Sequence, residues 1–243
     1  MIPKIIHYCW ISGDPFPEKI QKCIDSWKRV LPEYEIVVWD YAKVHNLNVR
    51  WCEEAMTVKK YAFVADYIRF YALYNYGGIY LDSDVEVLKS FDKLLKLKYF
   101  VGQENSCYEW EAAILGAEKG TEWIGKCLEY YKNRRFINIF GELQTHVLPS
   151  IINNIVRRNY KVKDVDSIDD WSAENDIVCR FPLDWFSPKE HGTMKINCTG
   201  NTYCIHHFTN SWQGICCVAL PLTWYQKVLY KFKTFVRKIK SLL

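Results

Sequence analysis

The chain has 243 residues, of which 49% are hydrophobic and 25% charged, with a formal net charge of +4. This length suits a single domain with its own core, and no apolar run reaches the length of a membrane span. The small excess of basic residues, without a recognition motif of that class, argues against a nucleic-acid binder.

The N-terminus and the cysteines indicate a cellular compartment. Pro3 and His7 interrupt any pattern of charged and then apolar residues that would be typical of a secretion signal. The ten cysteines are scattered, and none shows the CxxC spacing typical of a zinc site. We therefore expect a cytoplasmic protein whose thiols are reduced.

The first part of the chain predicts a strand, a helix and a strand in turn. Residues 4–11 and residues 34–39 are apolar runs typical of strands. Between them, residues 17–30 carry apolar side chains on one side of a helix. This alternation is the start of a βαβ pattern.

Residues 59–74 predict a helix, because they lack glycine and proline and repeat apolar side chains at helical spacing. Asp66 and Arg69 lie three positions apart and share one face of this helix. Two interpretations stay open. The pair is either a surface ion pair, worth roughly a few tenths of a kcal/mol, or a positioned pair that reaches a polar ligand.

The next segment predicts a turn, a buried strand and two carboxylates. Gly77 and Gly78 allow a sharp reversal, and residues 79–81 are an apolar β-type run. Asp82 and Asp84 then follow one residue apart, at the carboxyl end of the strand, where α/β sheets bind ligands. Oxygen ligands suit Mg²⁺ or Mn²⁺, and such an ion suits a diphosphate. An acidic turn without function is the alternative.

The remaining elements continue the alternation. Residues 99–102 and 112–115 predict strands, and residues 121–131 and 144–158 predict helices. Strands that alternate with helices favour an α/β fold in which helices cover a sheet.

The C-terminus predicts a basic amphipathic helix. Residues 191–243 contain no acidic side chain, and residues 221–243 place apolar side chains every three or four positions among six basic ones. This pattern is typical of a helix that lies in a membrane interface. The alternative is a terminal helix that packs on the core with its basic face in solvent. The first interpretation predicts peripheral attachment to an anionic membrane surface, on its cytoplasmic (inner) face.

Four separated motifs resemble glycosyltransferase family 32, which includes yeast-type α-mannosyltransferases and bacterial capsular polysaccharide transferases. They are Ala-Asp-x-x-Arg at residues 65–69, Gly-Gly-Ile-Tyr-Leu-Asp-x-Asp at residues 77–84, the opening strand at residues 2–10, and the closing segment at residues 205–212. The same core looks related to the glucosylating clostridial toxins. The resemblance covers most of the chain and keeps the order of the motifs.

The resemblance implies a fold and an activity. The fold would be of the GT-A type, an α/β sandwich with one mixed sheet flanked by helices over residues 1–220, followed by the amphipathic helix at residues 221–243. The activity would be metal-dependent, retaining transfer of a sugar from a UDP- or GDP-linked donor to a polysaccharide or lipid-linked glycan. Mn²⁺ or Mg²⁺ would be the cofactor. Capsular polysaccharide biosynthesis would be the process that the enzyme serves.

The resemblance also implies a metal group. Asp84 would bind the ion directly, and Asp82 would contact the ribose or the donor sugar and organise the metal site. One of two adjacent histidines would join them. Neighbouring residues of a strand point to opposite faces, and the resemblance favours His206 over His207.

Further residues would bind the donor. Asp66 and Arg69 would hold sugar hydroxyls and phosphate, and Arg69 with the two aspartates would form the catalytic group. Trp10 would stack on the base, with a core tryptophan as the alternative. The remaining donor contacts would be Ser83 and, closing over the diphosphate, Ser211 and Trp212, for which an ordinary loop is the alternative.

Two positions depart from the family. Glu111 stands where an asparagine commonly precedes alanine, and Glu142 stands where a proline commonly follows glycine. Either change could alter the preference for donor or acceptor, although Glu111 could also be a surface residue. A degenerate, membrane-associated scaffold is the alternative function, and the intact Asp82, Asp84 and Arg69 count against it.

Overall fold

Strands and helices alternate along most of the chain. A computed structural model describes residues 1–104, 110–189 and 193–209. The strands of these residues are β1 (Ile5–Cys9), β2 (Glu35–Trp39), β3 (Gly78–Leu81), β4 (Val85–Val87), β5 (Tyr99–Val101), β6 (Ile114–Ala117), β7 (Lys161–Asp164), β8 (Ile177–Arg180) and β9 (Cys204–His206). The helices are α1 (Glu18–Val30), α2 (Tyr41–His45), α3 (Arg50–Thr57), α4 (Tyr61–Tyr76), α5 (Glu122–Glu129), α6 (Leu148–Asn159) and α7 (Leu183–Phe186).

Five strands form a mixed central sheet in the order β2-β1-β3-β6-β5. β1 pairs in parallel with β2 and β3, so the carboxyl ends of these three strands meet at one edge. β6 runs antiparallel to β3, and Leu81 at the end of β3 pairs with Ile114 at the start of β6. The residues just before Ile114 therefore lie beside those that follow Leu81.

Both faces of the central sheet are buried. Tyr80 of β3 packs into the core cluster that includes residues of α3, α4, α5 and α6. Its neighbours Ile79 and Leu81 belong to a second cluster on the opposite face, with residues of α1, β4 and α7. Helices on both faces explain why β3 is an uninterrupted apolar run rather than an alternating one.

The predicted α/β class, with one mixed sheet flanked by helices, is confirmed. The strands and helices predicted before residue 160 all occur, with ends shifted by a few residues. The helices α2, α3 and α7, the strands β4, β7 and β8, and the pairing of β4 with β9 were not predicted. Their segments are short, and β7 (Lys161–Asp164) is mostly exposed and polar, so none carries a strong periodic signal.

Two glycines connect α4 to β3 in conformations that other residues avoid. Gly77 has φ 72° and Gly78 has φ 108°. A β-carbon on Gly78 would lie 2.6 Å from the carbonyl oxygen of Ile5 in the neighbouring strand. The sharp entry into β3 therefore depends on a residue that has no side chain.

We expect Gly78→Ala to lower the free energy of unfolding by about 2 kcal/mol or more, because it adds a backbone clash to an unfavourable φ. Urea denaturation would measure the loss. Gly120→Ala is the matched control, since Gly120 has φ 77° but a β-carbon added there would meet no atom within 4 Å. Equal losses in the two variants would contradict the close approach of Gly78 to β1.

None of the helices in the described ranges is both long and apolar enough to cross a membrane. The predicted amphipathic helix at residues 221–243 lies outside the described residues. That helix and the domain boundary at residue 220 therefore stay predictions.

Candidate active site

Asp82 and Asp84 lie in a tight turn where β3 ends. The N–H of Asp82 donates to the carbonyl of Ala113 at 2.9 Å, and the N–H of Val85 donates to the carbonyl of Asp82 at 3.0 Å. The chain thus passes directly from β3 into β4. Asp82 is half-buried and Asp84 is buried. Both carboxylates occupy the edge of the sheet where strands of α/β folds present residues to ligands.

Arg69 is a buried hub behind this turn, with only 4% of its surface exposed. Its Nη2 donates to Asp66 Oδ1 at 3.1 Å and to Asp82 Oδ1 at 3.3 Å. Its Nη1 donates to the carbonyl of Ala112, and its guanidinium lies 4.8 Å from the centre of the Tyr80 ring. The interpretation of Asp66 and Arg69 as a surface ion pair is wrong. The arginine instead joins α4, β3 and the start of β6.

The buried charges shift one another's pKa. Burial raises the pKa of Asp66 to about 7, although Arg69 acts in the opposite direction. Burial also raises the pKa of Asp82, again opposed by Arg69. For Arg69 burial would lower the pKa, but the nearby Asp82, Tyr80 and Asp66 outweigh it and raise the pKa. The guanidinium stays charged and neutralises part of the negative charge of this cluster.

β9 brings His206 to the two aspartates. β9 pairs antiparallel with β4, and His206 lies opposite Val85 in this ladder. The Nε2 of His206 lies 3.6 Å from Asp84 Oδ1. His207, which the strand directs to the other face, lies with its Nε2 2.9 Å from Glu86 Oε2. The geometry thus groups His206, and not His207, with Asp82 and Asp84.

The segment after β9 folds onto Asp84. The N–H and the hydroxyl of Thr209 both donate to Asp84 Oδ2 at 2.9 Å, and the N–H of His207 donates to the carbonyl of Asp84 at 3.1 Å. Burial would raise the pKa of Asp84, but His206 and Thr209 outweigh it and lower the pKa. Burial likewise would lower the pKa of His206, but Glu111, Asp84 and Asp82 raise it to about 9.

Glu111 is part of this site and is not a surface residue. Its exposed fraction is 0%. Its Oε1 accepts from the N–H of Ala113 at 2.7 Å and lies 3.4 Å from His206 Nδ1. Burial would raise its pKa, but His206 outweighs this and lowers it. The suggestion from the sequence that Glu111 lies on the surface is therefore wrong, because the antiparallel β6 begins at the edge where β3 ends.

A second glutamate, Glu104, lies near the same group. Burial and the charge of Glu111 raise the pKa of Glu104 to about 8, and His206 acts in the opposite direction. Glu104 follows β5 (Tyr99–Val101), the strand that pairs with β6. The Glu104 carboxyl is therefore mostly protonated at neutral pH, and the negative charge added to that of the Asp-x-Asp turn comes from Glu111.

Trp10 directly follows β1, at the same edge of the sheet. It is half-buried, its Nε1 donates to the carbonyl of Asp14 at 2.7 Å, and its ring centre lies 4.7 Å from that of Phe16. A tryptophan that is only partly covered retains surface for stacking. Ser83, between the two aspartates, is also half-buried.

The sequence also singled out three further positions. Ser211 and Trp212 fall outside the described residues. Glu142 is exposed and accepts from the Nδ2 of Asn138 at 2.8 Å, within a turn that precedes α6. The structure therefore does not bring Glu142 to the aspartates.

The residues at the turn fit a divalent cation. Within the described ranges, one group of possible ligands stands out, since Asp82, Asp84 and His206 offer ligand atoms that all lie within 4.8 Å of one another. Carboxylate oxygens suit Mg²⁺ and Mn²⁺, and the imidazole of His206 adds one nitrogen ligand to the two carboxylates.

Residues 17–101 match the family model described as the glycosyltransferase sugar-binding region containing the DXD motif. This stretch is similar to the sugar-binding region of DXD-containing glycosyltransferases. It includes Asp66, Arg69, Asp82 and Asp84, whereas Glu111 and His206 lie beyond it in sequence and reach the site through β6 and β9. The predicted resemblance to DXD-containing glycosyltransferases is confirmed.

Curated relatives share this part of the chain. An uncharacterized glycosyltransferase, L373, of Acanthamoeba polyphaga mimivirus is 31% identical over 41% of this chain and 42% of its own length. Inositol phosphoceramide mannosyltransferase 3 of Schizosaccharomyces pombe is 38% identical over 39% of this chain and 27% of its own length. The chain thus aligns with less than half of the length of either relative.

A solved structure shows a more distant likeness. The PaToxG glycosyltransferase superposes with a TM-score of 0.48 and 20% identity, covering 65% of this chain and 68% of its own.

Some residues of the site have little or no signal in the sequence. Glu104 and Thr209 carry none, because neither belongs to a motif. Glu111 has a weak signal, its departure from the asparagine that the family commonly has at this position. Only the pairing of β6 with β3, and of β9 with β4, brings these residues to the sugar-binding region.

Proposed function

We propose that this chain is a metal-dependent, retaining glycosyltransferase that uses a UDP- or GDP-linked sugar as donor. The observation that carries the proposal is the convergence of Asp82, Asp84 and His206, with ligand atoms within 4.8 Å of one another, at the end of β3 in a glycosyltransferase sugar-binding region. Residues that suit a divalent cation there also suit the diphosphate of a nucleotide-sugar.

The proposed roles follow from charge and position. Asp82, Asp84 and His206 hold the cation, and Arg69 fixes Asp82 by its buried contact. A cation bound there supplies positive charge that stabilises the diphosphate leaving group. Trp10, at the end of the parallel neighbour β1, is in a position to stack on the base, and Asp66 lies behind the turn as a candidate contact to the sugar. Ser83, Ser211 and Trp212 stay predicted donor contacts.

Retention of configuration needs no enzymatic nucleophile in the proposed mechanism. The acceptor hydroxyl attacks from the face that the diphosphate leaves, and the leaving phosphate takes the proton of that hydroxyl. The chain then has to position two substrates and stabilise charge with groups that are already preorganised. We therefore assign the proton to the phosphate and not to a side chain.

The name of one relative supports a donor class and an acceptor class for this chain. The relative from Schizosaccharomyces pombe is an inositol phosphoceramide mannosyltransferase, which favours a hexose donor and a lipid-linked acceptor here as well. A surface or capsular polysaccharide precursor is the other acceptor class. Cytoplasmic location, with peripheral attachment through the basic residues 221–243, is part of the proposal, because it would bring the site to a lipid-linked acceptor.

A catalytically degenerate scaffold is the alternative function. A protein that has lost its activity commonly lacks some of the catalytic side chains. Here the charged side chains at the turn are present and contact one another. Arg69 contacts both Asp66 and Asp82, and His206 faces Asp84. This order favours the enzyme.

The test is a panel of UDP- and GDP-linked hexoses incubated with the full chain and Mn²⁺. We expect slow hydrolysis of one donor, dependent on Mn²⁺, and in the presence of an acceptor a product that retains the anomeric configuration of the donor. NMR coupling constants of the anomeric proton measure that configuration. An inverted product would contradict the mechanism, and inertness of every donor together with absent nucleotide binding would favour the scaffold.

A further inference from the structure

His206 lies between two carboxylates, one on each side of its ring. Its Nε2 lies 3.6 Å from Asp84 Oδ1, and its Nδ1 lies 3.4 Å from Glu111 Oε1. The ring is mostly buried, with 14% of the side chain exposed. The environment of Nδ1 is therefore set by the protein and not by solvent.

Backbone groups on both sides hold Glu111 in place. Its N–H donates to the carbonyl of Gly102 at 2.9 Å, and its Oε1 accepts from the N–H of Ala113 at 2.7 Å. Its exposed fraction is 0%, so no open space surrounds the carboxylate. A fixed acceptor beside a ring nitrogen determines which nitrogen of a neutral imidazole carries the proton.

We propose that Glu111 is a positioning residue for the cation-bound state, in which His206 is neutral. There it keeps the remaining proton of the ring on Nδ1, so that the lone pair of Nε2 faces Asp82 and Asp84. The inference rests on the proposed function, since it assigns Glu111 a role toward the cation of that site. A histidine that binds a metal commonly donates its other N–H to a carboxylate, which fixes both tautomer and ring orientation. The carboxylate of Glu111 is in position for that role, with Oε1 3.4 Å from Nδ1, and Nδ1 has no hydrogen-bond partner among the described residues.

The adjacent residue provides an internal comparison. His207 pairs through Nε2 with Glu86 Oε2 at 2.9 Å, on the opposite face of β9. This pair has the same chemistry but is more exposed, with 28% and 36% of the two side chains accessible. It does not include a ligand atom of the Asp82, Asp84 and His206 group. Glu86 is therefore a matched control for Glu111.

Mn²⁺ affinity of the full chain, measured by electron paramagnetic resonance of the free ion, tests the role. We expect Glu111→Leu to weaken Mn²⁺ binding by about 10–100-fold. Glu111→Gln, which keeps an acceptor oxygen at this position, should restore part of the affinity. Glu86→Leu should bind Mn²⁺ as the wild type does, because Glu86 contacts His207 and none of the three proposed ligands of the cation.

A second measurement does not depend on any glutamate variant. In protein that contains ¹⁵N-labelled histidine and is loaded with Cd²⁺, a diamagnetic ion, the nitrogen chemical shifts of His206 report its tautomer. We expect the proton on Nδ1, with the signal assigned by its absence in His206→Gln. A proton on Nε2 would overturn the proposal even if Glu111→Leu failed to fold.

The outcomes separate this inference from the proposed function. If the wild type binds no Mn²⁺, the role of Glu111 and the proposed metal-dependent function are both wrong. If the wild type binds Mn²⁺ and Asp84→Asn does not, the cation site stands. In that case, unchanged affinity in Glu111→Leu, or an equal loss in Glu86→Leu, overturns the role of Glu111 alone.

Discussion

Asp84→Asn should lower the rate of sugar transfer on the order of a hundredfold or more, because it removes a charged ligand where leaving-group charge develops. The fold should survive. The Asp84 side chain accepts through Oδ2 from the N–H and the hydroxyl of Thr209, and the amide oxygen of asparagine can accept both. Initial rates with saturating donor and Mn²⁺, together with the melting temperature without metal, measure the two effects.

Glu86→Gln serves as the control for the loss of a carboxylate near the turn. Glu86 belongs to β4 and pairs with His207 rather than with the aspartates, so its loss should leave the rate near that of the wild type. Chelation of divalent cations should lower the rate of the wild type as much as Asp84→Asn does. Near-normal turnover of Asp84→Asn, or full activity in excess chelator, would exclude the metal assignment.

Arg69→Met should lower the free energy of unfolding by about 3–5 kcal/mol, because it leaves the buried carboxylates of Asp66 and Asp82 without their guanidinium partner. The side chains of Asp66 and Arg69 are 13% and 5% exposed, so solvent replaces little of the lost interaction. The carbonyl of Ala112 loses a donor as well. Urea denaturation at several pH values measures the loss.

The pH dependence of that loss has a definite sign. The pKa of Asp66 is about 7 in the folded protein, above the usual value, and Arg69 holds it down against burial. Without Arg69 this pKa rises further. A carboxyl group whose pKa is raised on folding contributes stability at low pH that is lost as the pH rises through the folded pKa. The deficit of Arg69→Met should therefore be larger at about pH 8.5 than at about pH 6.

Arg69→Lys is the conservative comparison for the same position. It keeps the positive charge but not the planar fork that reaches Asp66, Asp82 and the carbonyl of Ala112 together. We expect a smaller loss of stability that changes little with pH. A deficit of Arg69→Met that is the same at both pH values would contradict the assignment of Asp66 as its titrating partner.

Local patterns in the sequence were sufficient for the elements around the turn. The glycine pair, the apolar run of β3 and the carboxylates after it are neighbours in the chain, so turn chemistry and periodicity predict their conformation. The same holds for α4, whose period places Asp66 and Arg69 on one face. The motifs of the sugar-binding region follow the same logic, because they lie on α4, the turn and β3.

The tertiary structure alone decided what surrounds the turn. Nothing local distinguishes His206 from His207, and only the register of β9 against β4 directs one ring to Asp84 and the other to Glu86. Glu111 is remote in sequence from both aspartates and from His206, and it joins them because β6 is antiparallel to β3 and starts where β3 ends. Strand pairing between distant segments depends on long-range contacts that a local pattern does not encode, whereas the turn itself is determined by adjacent residues.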